Sequence, residues 1–357
     1  MQKLIVTIFV AVISFHLFAQ SKADNILLKN YRPVSIYKTP TANIQKASFP
    51  VIDMHSHDYV HTKNDVDDLV KLMDKMNIKK TMILTYATGK RFDSAVEKYN
   101  KYPGRFDLWC GFDYTGYGTP GWQKHAVEEL ERCYKKGAKG VGELGDKGEG
   151  ELYSKPTPGR GLHIDDPQMK PLLQKCGELH LPISIHVAED QWMYEPIDST
   201  NDGLMNAARW HVDMNKPNKL GHDALIETLA NAVRENPKTT FIACHLANTC
   251  SNLPQLGVLL DQYPNLYADI AARYGEIAPV PRYAAAFITK YQDRLVYGTD
   301  MGPSERMYLE TFRILETADE HFYTDHSYHW PLYGLNLPKE VLEKLYRLNA
   351  EKIMNQK

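Results

Sequence analysis

Cysteine is scarce in this chain of 357 residues, and it has no pattern. The five thiols, Cys110, Cys133, Cys176, Cys244 and Cys250, are odd in number and irregularly spaced, which excludes a disulfide framework. Cys244 and Cys250 are near enough in sequence to pair in an oxidising compartment, but buried free thiols are the expected state. No CxxC occurs, so a thiolate zinc site has no basis. An excess of charge is also missing: 42 basic residues stand against 44 acidic ones, interspersed, for a net −2. That gives no sign of a polyanion partner, and no nucleic-acid binding is expected. After Phe18 no apolar run is long enough to span a bilayer. GxSxG, GxxxxGK[ST] and HExxH are all absent, which sets aside the common serine hydrolases, P-loop enzymes and zincins. One GxGxxG does occur, at Gly140–Gly145, but it lies inside a strand-like run with no helix opening from it. Dinucleotide binding is therefore not expected.

What is present begins with MQKLIVTIFVAVISFHLFAQ. A basic residue, an apolar stretch from Leu4 to Phe18 and a small residue at Ala19 read as an export signal, residues 1–19. The stretch is shorter than a membrane span of about 20 residues. The expected location is periplasmic or secreted, with no stable membrane anchor once the signal is cut. Residues 20–49 form a polar leader segment, and residues 50–357 are expected to form one domain.

Within that domain, strand-like and helix-like stretches alternate. Eight short apolar or β-branched runs are expected as strands: 51–55, 81–86, 106–112, 140–144, 183–187, 240–246, 266–270 and 295–299. Helical spacing is visible over 66–76, 126–136, 167–180, 223–236, 281–291 and 338–355. Eight βα units predict a (β/α)8 TIM barrel of parallel strands. Two long insertions follow the fifth and eighth strands, over 188–222 and 302–337. The second contains Arg306, His321, Tyr323, His326, His329 and Trp330. Both follow strand C-termini, so both should shape the pocket or carry a contact between two copies in a homodimer.

The residues that carry chemistry stand near the ends of these strands. His55 and His57 follow VIDM; residues i and i+2 of a strand share a face, so the two imidazoles can clamp a metal. His186 ends PISIHV and is a further ligand candidate. His245 ends FIACH and could bind a second metal or orient water or substrate. Asp300, in YGTD, could hold a metal and also take a proton from water. Glu143, in GVGEL, could bridge two metals, support a ligand from behind or pair with a lysine. Arg273 follows the seventh strand and suits a substrate carboxylate, or else a surface salt bridge. Trp192, Tyr194 and Trp210 could wall the pocket or pack within their insertion.

Taken together, HSH at 55–57, His186, His245, Asp300 and the closing LYRLNAEKI resemble the amidohydrolase superfamily over residues 50–355. The similarity is to its amidohydrolase-related branch, which includes aminocarboxymuconate-semialdehyde decarboxylase, aromatic-acid decarboxylases and lactonases. That resemblance implies a (β/α)8 barrel with one or two divalent metals, usually zinc and sometimes manganese. It implies His55, His57, His186 and Asp300 as the ligands of one metal, and His245 as the group that orients water or binds a second. Glu143 instead resembles the strand-four glutamate of TatD-type two-metal members. The expected function is an exported metal-dependent hydrolase acting on an ester, lactone or amide of a small anionic substrate. The alternatives are a metal-dependent non-oxidative decarboxylase of an unsaturated or aromatic acid, and a catalytically dead barrel that only binds.

Overall fold

A computed structural model describes residues 22–149, 151–217, 219–324 and 328–356. The expected signal peptide, residues 1–19, and His326 lie outside the described residues. All eight expected strands form. They are β1 (Val51–Ser56), β2 (Ile78–Leu84), β3 (Phe106–Trp109), β4 (Val141–Asp146), β5 (Ile183–Val187), β6 (Phe241–Ala243), β7 (Leu266–Asp269) and β8 (Leu295–Val296). β1–β2–β3 pair in parallel, and so do β4–β5–β6–β7–β8. Backbone hydrogen bonds join the two runs into a ring. Cys110 N–H donates to Gly140 O at 3.0 Å and Gly142 N–H to Cys110 O at 2.8 Å. On the other side Met54 N–H donates to Tyr297 O at 2.9 Å and Thr299 N–H to His55 O at 3.1 Å. The glycines of the GxGxxG run serve close packing: a Cβ on Gly140 would lie within 2.6 Å of the Trp109 ring.

The amphipathic stretches form helices on the outside. α1 (Lys63–Met76) starts at a capping box, in which the Thr62 side chain accepts from Asp65 N–H and the Asp65 carboxylate accepts from Thr62 N–H. It ends at Asn77, in the left-handed conformation. Its buried stripe is Val66, Leu69, Val70, Met73 and Met76. Of the second insertion, Glu305–Glu316 is a regular helix rather than loop, capped by Ser304 and tied to α1 by a Lys75–Glu305 ion pair of 2.6 Å. Only the remainder departs from the barrel rhythm. The leader segment lies along this helix and the stretch just after it: Ser48 N–H donates to Glu316, and Ala42 N–H to Asp319. All five cysteines are buried and free.

A closing helical stretch, Lys339–Met354, seals the end of the barrel where the strands begin. Asn349 donates to the Leu295 carbonyl at 2.7 Å, and the Leu345 carbonyl, in a turn widened to π-helix geometry, accepts from Tyr297 N–H. Ala350 and Ile353 join Ile52, Met54, Met82, Leu84, Trp109, Ile242, Tyr267 and Val296 in one buried apolar cluster. The strand C-termini at the opposite end are left for polar chemistry.

Candidate functional site

Six of the expected site residues converge at the C-terminal rim. His57 Nε2 lies 3.0 Å from Asp300 Oδ1 and 3.3 Å from Glu143 Oε2. His55 Nε2 lies 3.8 Å from both Asp300 Oδ1 and Glu143 Oε1. His186 Nδ1 and His245 Nε2 are each 3.2 Å from Glu143 Oε1, and His245 Nε2 is 3.7 Å from Asp300 Oδ2. Glu143 thus stands among four imidazoles rather than against a lysine.

The backbone delivers these side chains in different ways. β1 shifts register against β2 between Asp53 and Ser56, where His55 enters the site. β6 stops at Ala243, and His245, Leu246, Ala247 and Asn248 all take positive φ, from 53° to 61°. This left-handed run is costly for residues with a Cβ and must be held by its surroundings. The hold is visible: Asp269 Oδ1 accepts from His245 N–H at 2.8 Å, and Asn248 Nδ2 donates to Val187 O at 2.9 Å.

Each imidazole is fixed through its other nitrogen. His55 Nδ1 bonds Asp269 Oδ2 at 2.9 Å, His57 Nδ1 bonds Leu84 O at 2.9 Å, and His245 Nδ1 bonds Ala271 O at 2.9 Å. His186 is turned over: its Nε2 bonds Ala188 O at 2.8 Å and its Nδ1 faces Glu143. This is the arrangement that sets a tautomer with one lone pair aimed inward. A single carboxylate, Asp269, therefore orients both His55 and the His245 backbone. Asp53 plays a similar part across the ring seam, accepting from Thr299 Oγ1 at 2.7 Å and from His55 N–H at 3.2 Å. Burial pushes its carboxyl up to about 7.

The donor set fits a metal. His55 Nε2 is buried and has no hydrogen-bond partner, an orphan that a cation would satisfy. The ligand atoms of His55, His57 and Glu143, of His55, His245 and Asp300, and of Glu143, His186 and His245 lie within 4.8 Å of one another in each group. Burial would lower the pKa of His55 and His57, but the surrounding carboxylates overcome it. Asp269, Asp300 and Glu143 raise His55 to about 9, and Asp300 and Glu143 raise His57 to about 11. Burial would raise Glu143 and Asp300, yet the histidines hold both carboxyls well below the usual range. His245 is lowered by burial and by its cationic neighbours. The site is a negative well that attracts positive charge, and a divalent cation would displace the protons it now favours.

A cavity of about 420 Å³ opens above the cluster. Its walls include His186, His245 and Asp300 below, and Lys147, Met193, Asn206, Arg209, Trp210, Glu276 and Tyr328 around it. Arg273 stands in this wall, with Nε donating to Asn248 Oδ1 at 3.1 Å, Nη2 to the same oxygen and Nη1 to Ala272 O at 2.9 Å. Trp192 and Tyr194 do not reach the cavity. Trp192 packs on Trp330, with centroids 5.5 Å apart, and Tyr194 O–H accepts from Glu189 N–H at 3.2 Å. Trp210, from the same insertion, does line it. Sequence reasoning passed over Asp269, Asp190, Glu189, Lys147 and Glu276. Asp269 carried the same strand-end signal as the histidines.

Comparison with known proteins agrees with this geometry. The family model described as Amidohydrolase matches residues 52–355. No curated protein matches the chain in sequence. Among solved structures, the chain is similar to a 2,6-dihydroxybenzoate decarboxylase from Rhizobium, at 14% identity and a TM-score of 0.53, over 86% of this chain and 98% of that one. It is also similar to a 5-carboxyvanillate decarboxylase from Novosphingobium aromaticivorans in complex with manganese, at 13% identity and a TM-score of 0.53, over 89% and 100%. A third is a 4-oxalomesaconate hydratase from Rhodopseudomonas palustris, at 14% and 0.50, over 85% and 95%. At these identities the likeness carries the barrel fold alone. Family match, ring of eight strands and rim of ligand-type residues agree: the chain belongs to the amidohydrolase family.

Proposed function

We propose that this protein is a metal-dependent hydrolase in which two divalent cations, zinc or manganese, share Glu143. His55, His57 and Asp300 with Glu143 Oε2 would hold one, and His186 and His245 with Glu143 Oε1 the other. The observation that carries this reading is the Glu143 carboxylate, with Oε1 at 3.2 Å from both His186 and His245 and Oε2 at 3.3 Å from His57. Bound cations supply Lewis acidity and bring the pKa of water close to neutrality.

The remaining work falls to the chain. Asp300 Oδ1 lies 3.0 Å from His57 Nε2, so the two would face the same cation, and it accepts from the Tyr59 hydroxyl at 3.3 Å. Oδ2 is then the atom that takes a proton from water and returns it to the leaving group. Asp300 lines the cavity, so that proton need not travel. His245 is fixed through Nδ1 by Ala271 O, which leaves Nε2, the nitrogen beside Glu143, to face the second cation. We place the enzyme outside the cytoplasm on the strength of residues 1–19, and the mass of the mature N-terminus checks that placement.

The decisive experiment is metal content per chain, with an ester, lactone and amide panel run beside CO2 release from aromatic acids. About two equivalents and hydrolysis are expected, falling to one or fewer in Glu143→Gln with at least a hundredfold loss of rate. One equivalent with CO2 release would replace this reading with a decarboxylase. No metal, even after zinc or manganese is added, would end the enzyme reading.

A further inference from the structure

Beside the metal-ligand cluster the cavity wall holds a second set of charges. Arg273 lies between two buried carboxylates, with Nε 3.9 Å from Asp190 Oδ2 and Nη1 3.9 Å from Glu276 Oε1. Both distances exceed a hydrogen bond. The guanidinium instead spends its Nε and Nη2 donors on Asn248 and an Nη1 donor on Ala272 O. Asp190 is fully buried, and neither of its oxygens has a hydrogen-bond partner. Glu276 lines the cavity and is 7% exposed. Its donors are long: Tyr328 O–H at 3.3 Å and Asn206 Nδ2 at 3.5 Å. One cation thus faces two carboxylates, and the excess negative charge borders the substrate space. Of the other cations in the wall, Lys147 is already paired with Glu189, and the exposed Arg209 lies over the Trp210 ring, 5.4 Å from its centroid.

We propose that Glu276 receives an ammonium group of the substrate, so that the enzyme selects amine-bearing esters, lactones or amides rather than purely anionic ones. This rests on the reading of the cavity as the substrate site. A buried carboxylate with weak donors is incompletely stabilised, and a ligand ammonium offers what it lacks: a positive charge with three N–H donors. Burial pushes the Glu276 carboxyl up to about 7 against the pull of Arg273, as expected of an acid waiting for a partner. The Trp210 and Tyr328 rings give the apolar part of such a ligand a surface. In this arrangement Arg273 is a counter-charge to Asp190 and Glu276.

The test is calorimetric binding of three matched probes, 4-phenylbutylamine, 4-phenylbutanol and 4-phenylbutyrate, to metal-loaded protein near pH 8. The amine is expected to bind about tenfold more tightly than the alcohol, and Glu276→Gln is expected to abolish that preference while metal content stays unchanged. Equal binding of amine and alcohol, tighter binding of the butyrate, no amine binding at millimolar concentration, or a preference that survives Glu276→Gln would each overturn the proposal. The comparison on the unmodified protein needs no variant to fold. Metal content measured on the same samples separates the two claims: amine selectivity without metal would sink the hydrolase reading and leave standing only the assignment of Glu276 as an ammonium site.

Discussion

At the end of the barrel sealed by the closing helix, Ile353 and Ala350 are buried with Ile52, Met54 and Tyr267, and the contacts are apolar. At the other end, four histidines, Glu143 and Asp300 crowd together at 3.0 to 3.8 Å, and each imidazole is pinned from behind. The first end lowers free energy by excluding water. The second buries ionisable groups of both signs and holds a left-handed run at His245–Asn248, and it persists because neighbouring groups fix it. One barrel therefore separates the residues that keep it folded from those that act, and the separation can be tested from both sides.

The largest effect should come at the apolar end. Ile353→Ala removes a fully packed side chain and should cost about 2–5 kcal/mol in denaturant unfolding. Metal content of the folded fraction should not change; a loss of metal would mean that the two ends are coupled. Next is Asp269→Asn, which leaves the barrel packing intact but removes the carboxylate behind His55 and His245 N–H. Metal affinity should fall about 10–100-fold by competitive chelation. An unchanged affinity would show that Asp269 serves the fold alone.

A smaller effect is expected from pH on the chelator-treated protein. His55 and His57 are raised from 6.5 to about 9 and about 11 when the carboxylates face them without a cation. Raised histidine values stabilise the fold fully below about pH 6.5, and that contribution is lost as pH rises through 9 and then 11. The Tm of chelated protein should therefore decline above pH 7 faster than that of metal-loaded protein. Parallel curves would show that the carboxylates are compensated by something other than these two rings.

The strand framework was readable in the sequence because each strand is a short apolar run, and most carry a ligand-type residue at or just beyond the end. His55, His57, Glu143, His186, His245 and Asp300 all carried that signal, and the fold brings them together. Asp269 carried it too. Its value lies in a bond to His55, 214 positions away, which no local pattern reveals. The helix Glu305–Glu316 was hidden differently. Its buried stripe of Met307, Tyr308, Phe312 and Leu315 and its Ser304 cap were visible, but a long irregular segment after it made the whole stretch read as loop. Trp192 and Tyr194 show the limit of composition: aromatic residues near a rim pack inward as readily as they line a pocket, and Trp210 faces the cavity from the same insertion.

The closing helix has a consequence for biosynthesis. Tyr297 N–H and the Leu295 carbonyl, in and just beyond the last barrel strand, find partners in residues 345 and 349. A nascent chain that has already made every ligand still lacks the floor on which its final strand rests. The last strand therefore has no floor until residues 339–354 have been made, and truncation just before residue 339, which spares all six site residues, should yield protein cleared by proteases.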